Sequence, residues 1–369
     1  MKKQMKIEEV DVNMKGNTIH EKGVIYFNPK EDKHFSIEGL AFFDKEKEYF
    51  RLPIDCKDKV TEAVYWLSSH PSGGQIRFQT NAKQISVKIK NKGDYQMCHM
   101  AATGQQGVDL YYRLKGQKNY TFFNCAKFVE PTSEFESIIF QSDEMMDKDI
   151  IINLPLYEGL EEILIGLNEE ATLKAPKKRK KEGRVVIYGT SVTQGGCASR
   201  PGMSFTNILS RKLDMEFINL GFSGSGLGEP NVARLINEIS DIRLLILDYE
   251  ANGGATGDLY YNMEEFIDIF RSLHPQTPIL IMSKHPFSCY IFSKEEREKR
   301  QFYLNFQSEV VRKRKEKGDD NIYFMDGNLL FGSKDIYESC VDGLHPTDLG
   351  FYRIATTLYP ILKRILNKQ

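Results

Sequence analysis

The sequence predicts two architectures in one chain: an antiparallel β-sandwich over residues 1–173 and a parallel, three-layer α/β/α unit over residues 184–369. Three observations lead there. The first half carries short runs of alternating apolar and polar residues separated by turn residues, as strands with one face in a core do. The second half carries five apolar runs, each followed by a stretch with helical spacing, as strands buried on both faces by crossover helices do. Between them lies the basic segment Lys174-Ala175-Pro176-Lys177-Lys178-Arg179-Lys180-Lys181-Glu182-Gly183. Its Pro, Gly and like charges predict a solvated linker over residues 174–183 rather than a nucleic-acid patch. The 369 residues also exceed what one core usually holds.

The elements follow in order. Ile76 and Phe78 fall on one side of a strand at Gln75–Gln79, and Gln84–Lys90 alternates in the same way. The turn-like segments 70–74 and 91–94 punctuate them. Val108–Tyr112 and Tyr120–Phe123 continue the pattern, so many short strands predict the sandwich. Beyond the linker, strands are expected at Arg184–Tyr188, Glu216–Leu220, Leu244–Leu247, Pro278–Met282 and Asn321–Met325. Helices are expected at Phe205–Leu213, Val232–Ile239, Met263–Leu273, Ser293–Lys317 and Thr347–Leu366. In such a unit reactive groups gather beyond the carboxyl ends of the strands.

Composition excludes several classes. The formal net charge of −1 gives no global field to recruit nucleic acid or an anionic membrane. No apolar run approaches the ~20 residues of a membrane span. Met1–Lys22 is polar and mixed in charge, without the apolar stretch of a signal peptide, so a cytoplasmic location is expected. The six cysteines are scattered and expected as free thiols, with no closely spaced His/Cys set to suggest zinc; no metal and no cofactor are expected. Oligomeric state is not legible.

The chemistry concentrates at the predicted carboxyl ends. Ser191 follows the first parallel strand in Val186-Ile187-Tyr188-Gly189-Thr190-Ser191, where its hydroxyl can act as a nucleophile. Taken alone, a helix-capping serine is the commoner explanation. The second strand ends in Gly221-Phe222-Ser223-Gly224-Ser225-Gly226, whose Gly224 N–H can face a developing oxyanion. It is not a phosphate cradle, since no GK[ST] or GxGxxG spacing is present. The third ends in Asp248-Tyr249-Glu250-Ala251-Asn252, where Asn252 can aim an amide at the same oxygen or simply hold a turn. In Asp342-Gly343-Leu344-His345, the carboxylate can orient the imidazole and the imidazole can take the serine proton. His285, on the same rim, is expected in a loop role; His70 and His99 are expected to be structural, and Trp66 to belong to a core. Cys197 and Cys340 lie near the nucleophile and the Asp but are not read as catalytic, because a serine already occupies the turn.

These blocks resemble the SGNH (GDSL-type) hydrolase family, whose four signature residues fall in order on Ser191, Gly224, Asn252 and His345, with Asp342 as partner of His345. The first block reads Gly-Thr-Ser rather than Gly-Asp-Ser, and the third Glu-Ala-Asn rather than Gly-x-Asn-Asp. The resemblance implies a flavodoxin-like three-layer fold and esterase chemistry. Met97-Cys98-His99-Met100, Gly104, Gly107-Val108-Asp109-Leu110-Tyr111 and Leu154–Gly159 resemble the GxDLY domain that precedes some of these hydrolases. The function this implies is hydrolysis of a small acyl ester, acetyl above all, on a small molecule or saccharide through an acyl-enzyme. The alternative is a non-catalytic carbohydrate-binding protein on a hydrolase scaffold. Thioesterase and amidase action stay open, because a triad does not choose its leaving group.

Overall fold

The computed structural model describes residues 6–14, 23–94, 96–129 and 132–368. Much of the polar start, Met1–Lys22, lies outside the described residues.

The first half is built of antiparallel strands in two sheets. One holds β1 (Val24–Phe27), β4 (Gln84–Asn91), β7 (Glu134–Gln141) and β9 (Leu160–Asn168) in the order β1-β9-β4-β7. The other runs β10-β3-β8-β5-β6, with β2 (Ser36–Glu38) also pairing β3. Its strands are β3 (Gln75–Thr80), β5 (Asp109–Leu114), β6 (Thr121–Cys125), β8 (Lys148–Asn153) and β10 (Leu173–Lys174). Alternation places Ile85, Val87 and Ile89 of β4 in one core with Ile76 and Phe78 of β3, which face Ile152 and Ile150 of β8. The opposite face of β3 is buried too, yet polar: Gln75 and Arg77 are each 2% exposed. That face is covered by the second half of the chain, so strict inside-apolar alternation does not describe it.

The second half is a five-stranded parallel sheet ordered β12-β11-β13-β14-β15, of β11 (Arg184–Gly189), β12 (Glu216–Gly221), β13 (Ile242–Asp248), β14 (Ile279–Met282) and β15 (Ile322–Met325). Alternate side chains of one strand enter two different cores. Val185 and Ile187 meet Phe205, Leu209 and Phe351 from the helices Phe205–Leu213 and Asp348–Leu366. Val186 and Tyr188 meet Phe266 and Phe270 of the helix Asp258–Leu273 and Val310 of the helix Lys294–Glu316. Burying one such side chain fully contributes about 1.5–3 kcal/mol. The long charged helix is set by its ends: Ser293 accepts the Glu296 N–H at 3.2 Å, and Lys313, Arg314 and Lys315 sit on the negative end of its dipole.

A stretch of the first half joins the second core. Phe50, Leu52, Val64 and Leu67 pack with Tyr188, Leu220 and Phe222. The helix Glu62–Ser68, not foreseen among strands, turns Val64 and Leu67 inward. Trp66 is left 53% exposed, contrary to the core position expected for it. Arg51 is fully buried; it donates to the carbonyls of Leu67, Asn219 and Gly221 and lies 4.7 Å from the Phe222 ring. The basic segment after β10 is held at two points. Arg179 donates to Glu38 and to Gln75, and the carbonyl of Lys177 accepts from Arg77. Among the described residues no helix is long and apolar enough to cross a membrane.

Candidate active site

β11 ends at Gly189 because nothing larger fits: a Cβ there would lie 2.0 Å from Thr193 Oγ1 and 2.7 Å from the Asp248 carbonyl. The short helix Ser191–Gln194 follows at once. Thr193 Oγ1 donates to Asp248 Oδ2 at 2.7 Å and fixes this turn. Burial pushes the Asp248 carboxyl up to about 7, against the lowering effect of that bond. Ser191, only 6% exposed, thus stands at the carboxyl end of the sheet.

Ser191 Oγ lies 3.0 Å from His345 Nε2, and His345 Nδ1 lies 2.7 Å from Asp342 Oδ2. A carboxylate only accepts, so Nδ1 carries the proton and Nε2 is left to accept from the serine hydroxyl. Asp342 also receives the N–H groups of Leu344 and His345 at 3.0 and 2.7 Å. Burial pushes its carboxyl up, but the bonds from the His345 ring, the His345 N–H and the Leu344 N–H outweigh that and hold it at about 2. The side chain is 37% exposed, so it acts through hydrogen bonding more than through burial.

The turn that carries this pair is closed by Val341 N–H donating to the His345 carbonyl at 2.9 Å. Gly343 has φ +80°, the left-handed region that favours glycine, and a Cβ there would also push the Ser288 hydroxyl aside. His285 donates from Nε2 to the Leu344 carbonyl at 2.6 Å. Burial pushes its ring down to about 4, so it is neutral near pH 7 and props the turn as a fixed donor.

Gly224 sits in an exposed turn after β12 at φ +68°. Among the described residues neither its N–H nor that of Ser191 has a hydrogen-bond acceptor. Gly226 packs on the end of β11, where a Cβ would lie 2.3 Å from the Gly189 carbonyl, and its N–H donates to Asn252 Oδ1 at 3.3 Å. With that oxygen engaged, the Asn252 amide N–H groups are left for another acceptor. The structure therefore joins Ser191, His345 and Asp342 directly, and joins Asn252 to the Gly224 loop rather than to Ser191 itself. Glu250 is no cation ligand: Arg300, Gln307 and the Lys284 N–H occupy its two oxygens. All six cysteines are free, and burial followed by the Asp342 charge pushes the Cys197 and Cys340 thiols up to about 12.

The first half contributes more than its sequence suggested. Tyr157 Oη donates to the Ser191 carbonyl at 3.3 Å. Thr103 Oγ1 donates to the Ser199 carbonyl at 2.6 Å, and a Cβ on Gly104 would meet the Ala198 carbonyl at 2.1 Å. His99, expected to be structural, stands with its ring centroid 5.8 Å from that of His345 and its Nε2 4.0 Å from Asp342 Oδ2. No local pattern marks it. The one available signal was its place in Met97-Cys98-His99-Met100, a block resembling a domain known to precede hydrolases.

Residues 182–363 match the GDSL-like lipase/acylhydrolase family, and residues 24–173 match GxDLY, the N-terminus of esterases of the SGNH hydrolase type. The fold and these matches define an ester-hydrolysing serine hydrolase. More narrowly, the chain belongs to the GDSL-like (SGNH) hydrolases that carry a GxDLY N-terminus. A structure assigned as a GDSL-like lipase of Bacteroides ovatus is 29% identical, with 93% of this chain and 98% of that chain covered and a TM-score of 0.84. The salicylyl-acyltransferase SsfX3 from a tetracycline biosynthetic pathway is 18% identical, covering 94% and 98%, TM-score 0.75. A family two carbohydrate esterase from Cellvibrio japonicus is 12% identical, covering 93% and 98%, TM-score 0.58. The last two show the fold alone. Comparison with curated proteins found no match.

Proposed function

We propose that the chain hydrolyses small acyl esters, acetyl first, carried on a saccharide, with Ser191 as nucleophile, His345 as base and Asp342 as its orienter. The observation that carries this is the unbroken line of hydrogen bonds from Ser191 Oγ through both nitrogens of His345 to Asp342. In this reading Nε2 takes the hydroxyl proton as Oγ attacks the ester carbonyl, and Asp342 stabilises the imidazolium. The N–H groups of Ser191 and Gly224 and the Asn252 amide receive the oxyanion. The alcohol leaves with the proton from His345, and water activated by the same imidazole releases the acid.

The saccharide part rests on two supports. A sandwich coupled to this hydrolase fold also occurs in a carbohydrate esterase. Trp66, the only tryptophan, is half exposed, and its ring lies 4.6 Å from His70, which lies 6.4 Å from Tyr157, the residue that touches Ser191. Its exposed ring is an aromatic surface on which a sugar could stack. Six free thiols agree with a reducing, cytoplasmic setting. The test is hydrolysis of p-nitrophenyl acetate and of acetylated xylo-, gluco- and manno-saccharides by the wild type and by Ser191→Ala. Turnover is expected only in the wild type; equal turnover in both removes Ser191 as nucleophile.

A further inference from the structure

The ring of His99, the thiol of Cys197 and the ring of His345 come from three remote segments, yet their ligand atoms all lie within 4.8 Å of one another. His99 is exposed and the other two are partly so, which leaves the cluster open to solutes. Two imidazoles and a thiol form a borderline-soft donor set suited to zinc and poorly suited to magnesium or calcium. We propose that this cluster is a binding site for a zinc-class divalent cation, whose occupation takes His345 away from Ser191 and switches hydrolysis off. The switch rests on the reading of His345 as the base; the cation site itself does not.

The geometry favours this for three reasons. First, Asp342 holds Nδ1 of His345, so Nε2, which now faces the Ser191 hydroxyl, is the nitrogen that can exchange its partner for a metal. A carboxylate fixing one nitrogen while the other binds metal is the usual support of a zinc histidine. The feature that prepares the ring as a base thus prepares it equally as a ligand. Second, the fit needs little movement. Zn–N bonds of about 2.0–2.1 Å and a Zn–S bond of about 2.3 Å put tetrahedral ligand atoms about 3.3–3.6 Å apart. Closing from a spacing of up to 4.8 Å is a matter of at most about 1.5 Å, which the exposed ring of His99 can supply by rotation. Third, the exposure of His99 leaves the cluster open to a water that would complete four-coordination. As the S–Zn bond forms, the Cys197 proton leaves to solvent, and the Ser191–His345 bond at 3.0 Å is exchanged for Nε2–Zn.

His99 belongs to the first half of the chain, while Cys197 and His345 flank the parallel sheet. A bound ion would therefore also pin the two halves together across the mouth of the site. No local spacing signals this, because each donor stands alone in its own segment.

The experiment uses the full chain with ZnCl2 and, as a spectroscopic probe, CoCl2. One zinc per chain is expected by calorimetry, with ester hydrolysis lost on titration and restored by a chelator. Cobalt is expected to give a thiolate-to-metal charge-transfer band in the near ultraviolet, lost in Cys197→Ser. Cys197→Ser and His99→Ala are each expected to shift half-inhibition to at least about 10-fold higher zinc, with metal-free hydrolysis by Cys197→Ser near wild type. Absence of the band, or zinc sensitivity unchanged in both variants, overturns the site. Ser191→Ala separates the two readings: it keeps the cobalt band if the site is real, whether or not the wild type proves to be an esterase.

Discussion

The guanidinium of Arg200 donates to the carboxylate of Asp109 at 2.8 Å across 91 positions of sequence. Asp109 is fully buried, and its oxygens also receive the Gly202 N–H and the Asn153 side chain. Arg200 donates in addition to Tyr111 Oη and stacks 3.7 Å over Phe122. The Asp and Tyr of the Gly-Val-Asp-Leu-Tyr block are thus a clasp. They grip the segment just after the Ser191 helix and fix the sandwich to the catalytic half.

Asp109→Ala is expected to destabilise by about 3–5 kcal/mol, because it leaves a guanidinium in a largely closed site without its anion. Urea unfolding followed by far-ultraviolet circular dichroism measures this. A midpoint within error of wild type would show that the clasp contributes no stability.

Asp342→Asn should leave the protein folded and reduce kcat by about 10⁴-fold, since an amide can donate to Nδ1 and present the wrong tautomer to Ser191. The carboxyl is held at about 2, below its ordinary 3.8. A lowered carboxyl stabilises the fold fully above the ordinary value, and that contribution is lost as pH falls from 3.8 through about 2. The difference in urea midpoint between wild type and Asp342→Asn should therefore be present at pH 6 and gone near pH 2.

The parallel half was legible because strands buried on both faces must be continuously apolar, and Val185–Tyr188 or Leu244–Leu247 cannot be read otherwise. The meeting of Ser191, His345 and Asp342 was legible because Ser191 follows a predicted strand end and Asp342-x-x-His345 lies in the loop after the last predicted strand. The interface between the halves was not. β3 alternates Ile76 and Phe78 with Gln75 and Arg77 as a half-solvated strand does, yet its polar face is closed by the second half. Polarity in a sequence does not distinguish water from a hydrogen-bonded interface. The surroundings of His99 were hidden for the same reason: its neighbours His345, Asp342 and Cys197 are all remote in sequence, so nothing local gives them.

Asn252→Ala tests the oxyanion side. On the proposed mechanism it removes one donor from the developing charge, and it leaves the Gly226 N–H without its acceptor. The expected loss is about 10²–10³ in kcat with KM little changed, the signature of a contact made mainly in the transition state. An unchanged kcat on p-nitrophenyl acetate would take Asn252 out of the mechanism.

Trp66→Ala separates acyl from saccharide recognition. The helix Glu62–Ser68 anchors through Val64 and Leu67, so loss of the half-exposed ring should cost little stability. KM for an acetylated oligosaccharide is expected to rise about 5-fold, as for losing one stacking contact of roughly 1 kcal/mol, while p-nitrophenyl acetate is unaffected. Equal effects on both substrates would mean that the ring positions the loop rather than the sugar.

His285 gives the catalytic turn its own pH limit. Burial holds the ring at about 4 instead of 6.5, so the folded state resists a proton that the unfolded chain accepts. The sign is fixed by counting protons: between about 4 and 6.5 the unfolded state binds more, so stability falls as pH is lowered through that window and is complete above it. The shift corresponds to roughly 3 kcal/mol at its full extent. His70, pushed down to about 3 by burial, acts in the same direction. Comparison must therefore be with His285→Gln, which keeps an N–H for the Leu344 carbonyl but cannot titrate. The variant is expected to lose less stability than wild type between pH 7 and pH 4, because the His285 contribution is removed while those of His70 and of Asp248, whose raised carboxyl acts in the opposite direction, are common to both proteins. Equal losses in the two proteins would mean that His285 is protonated without strain in the folded state, and that Leu344 is held by something other than a neutral ring.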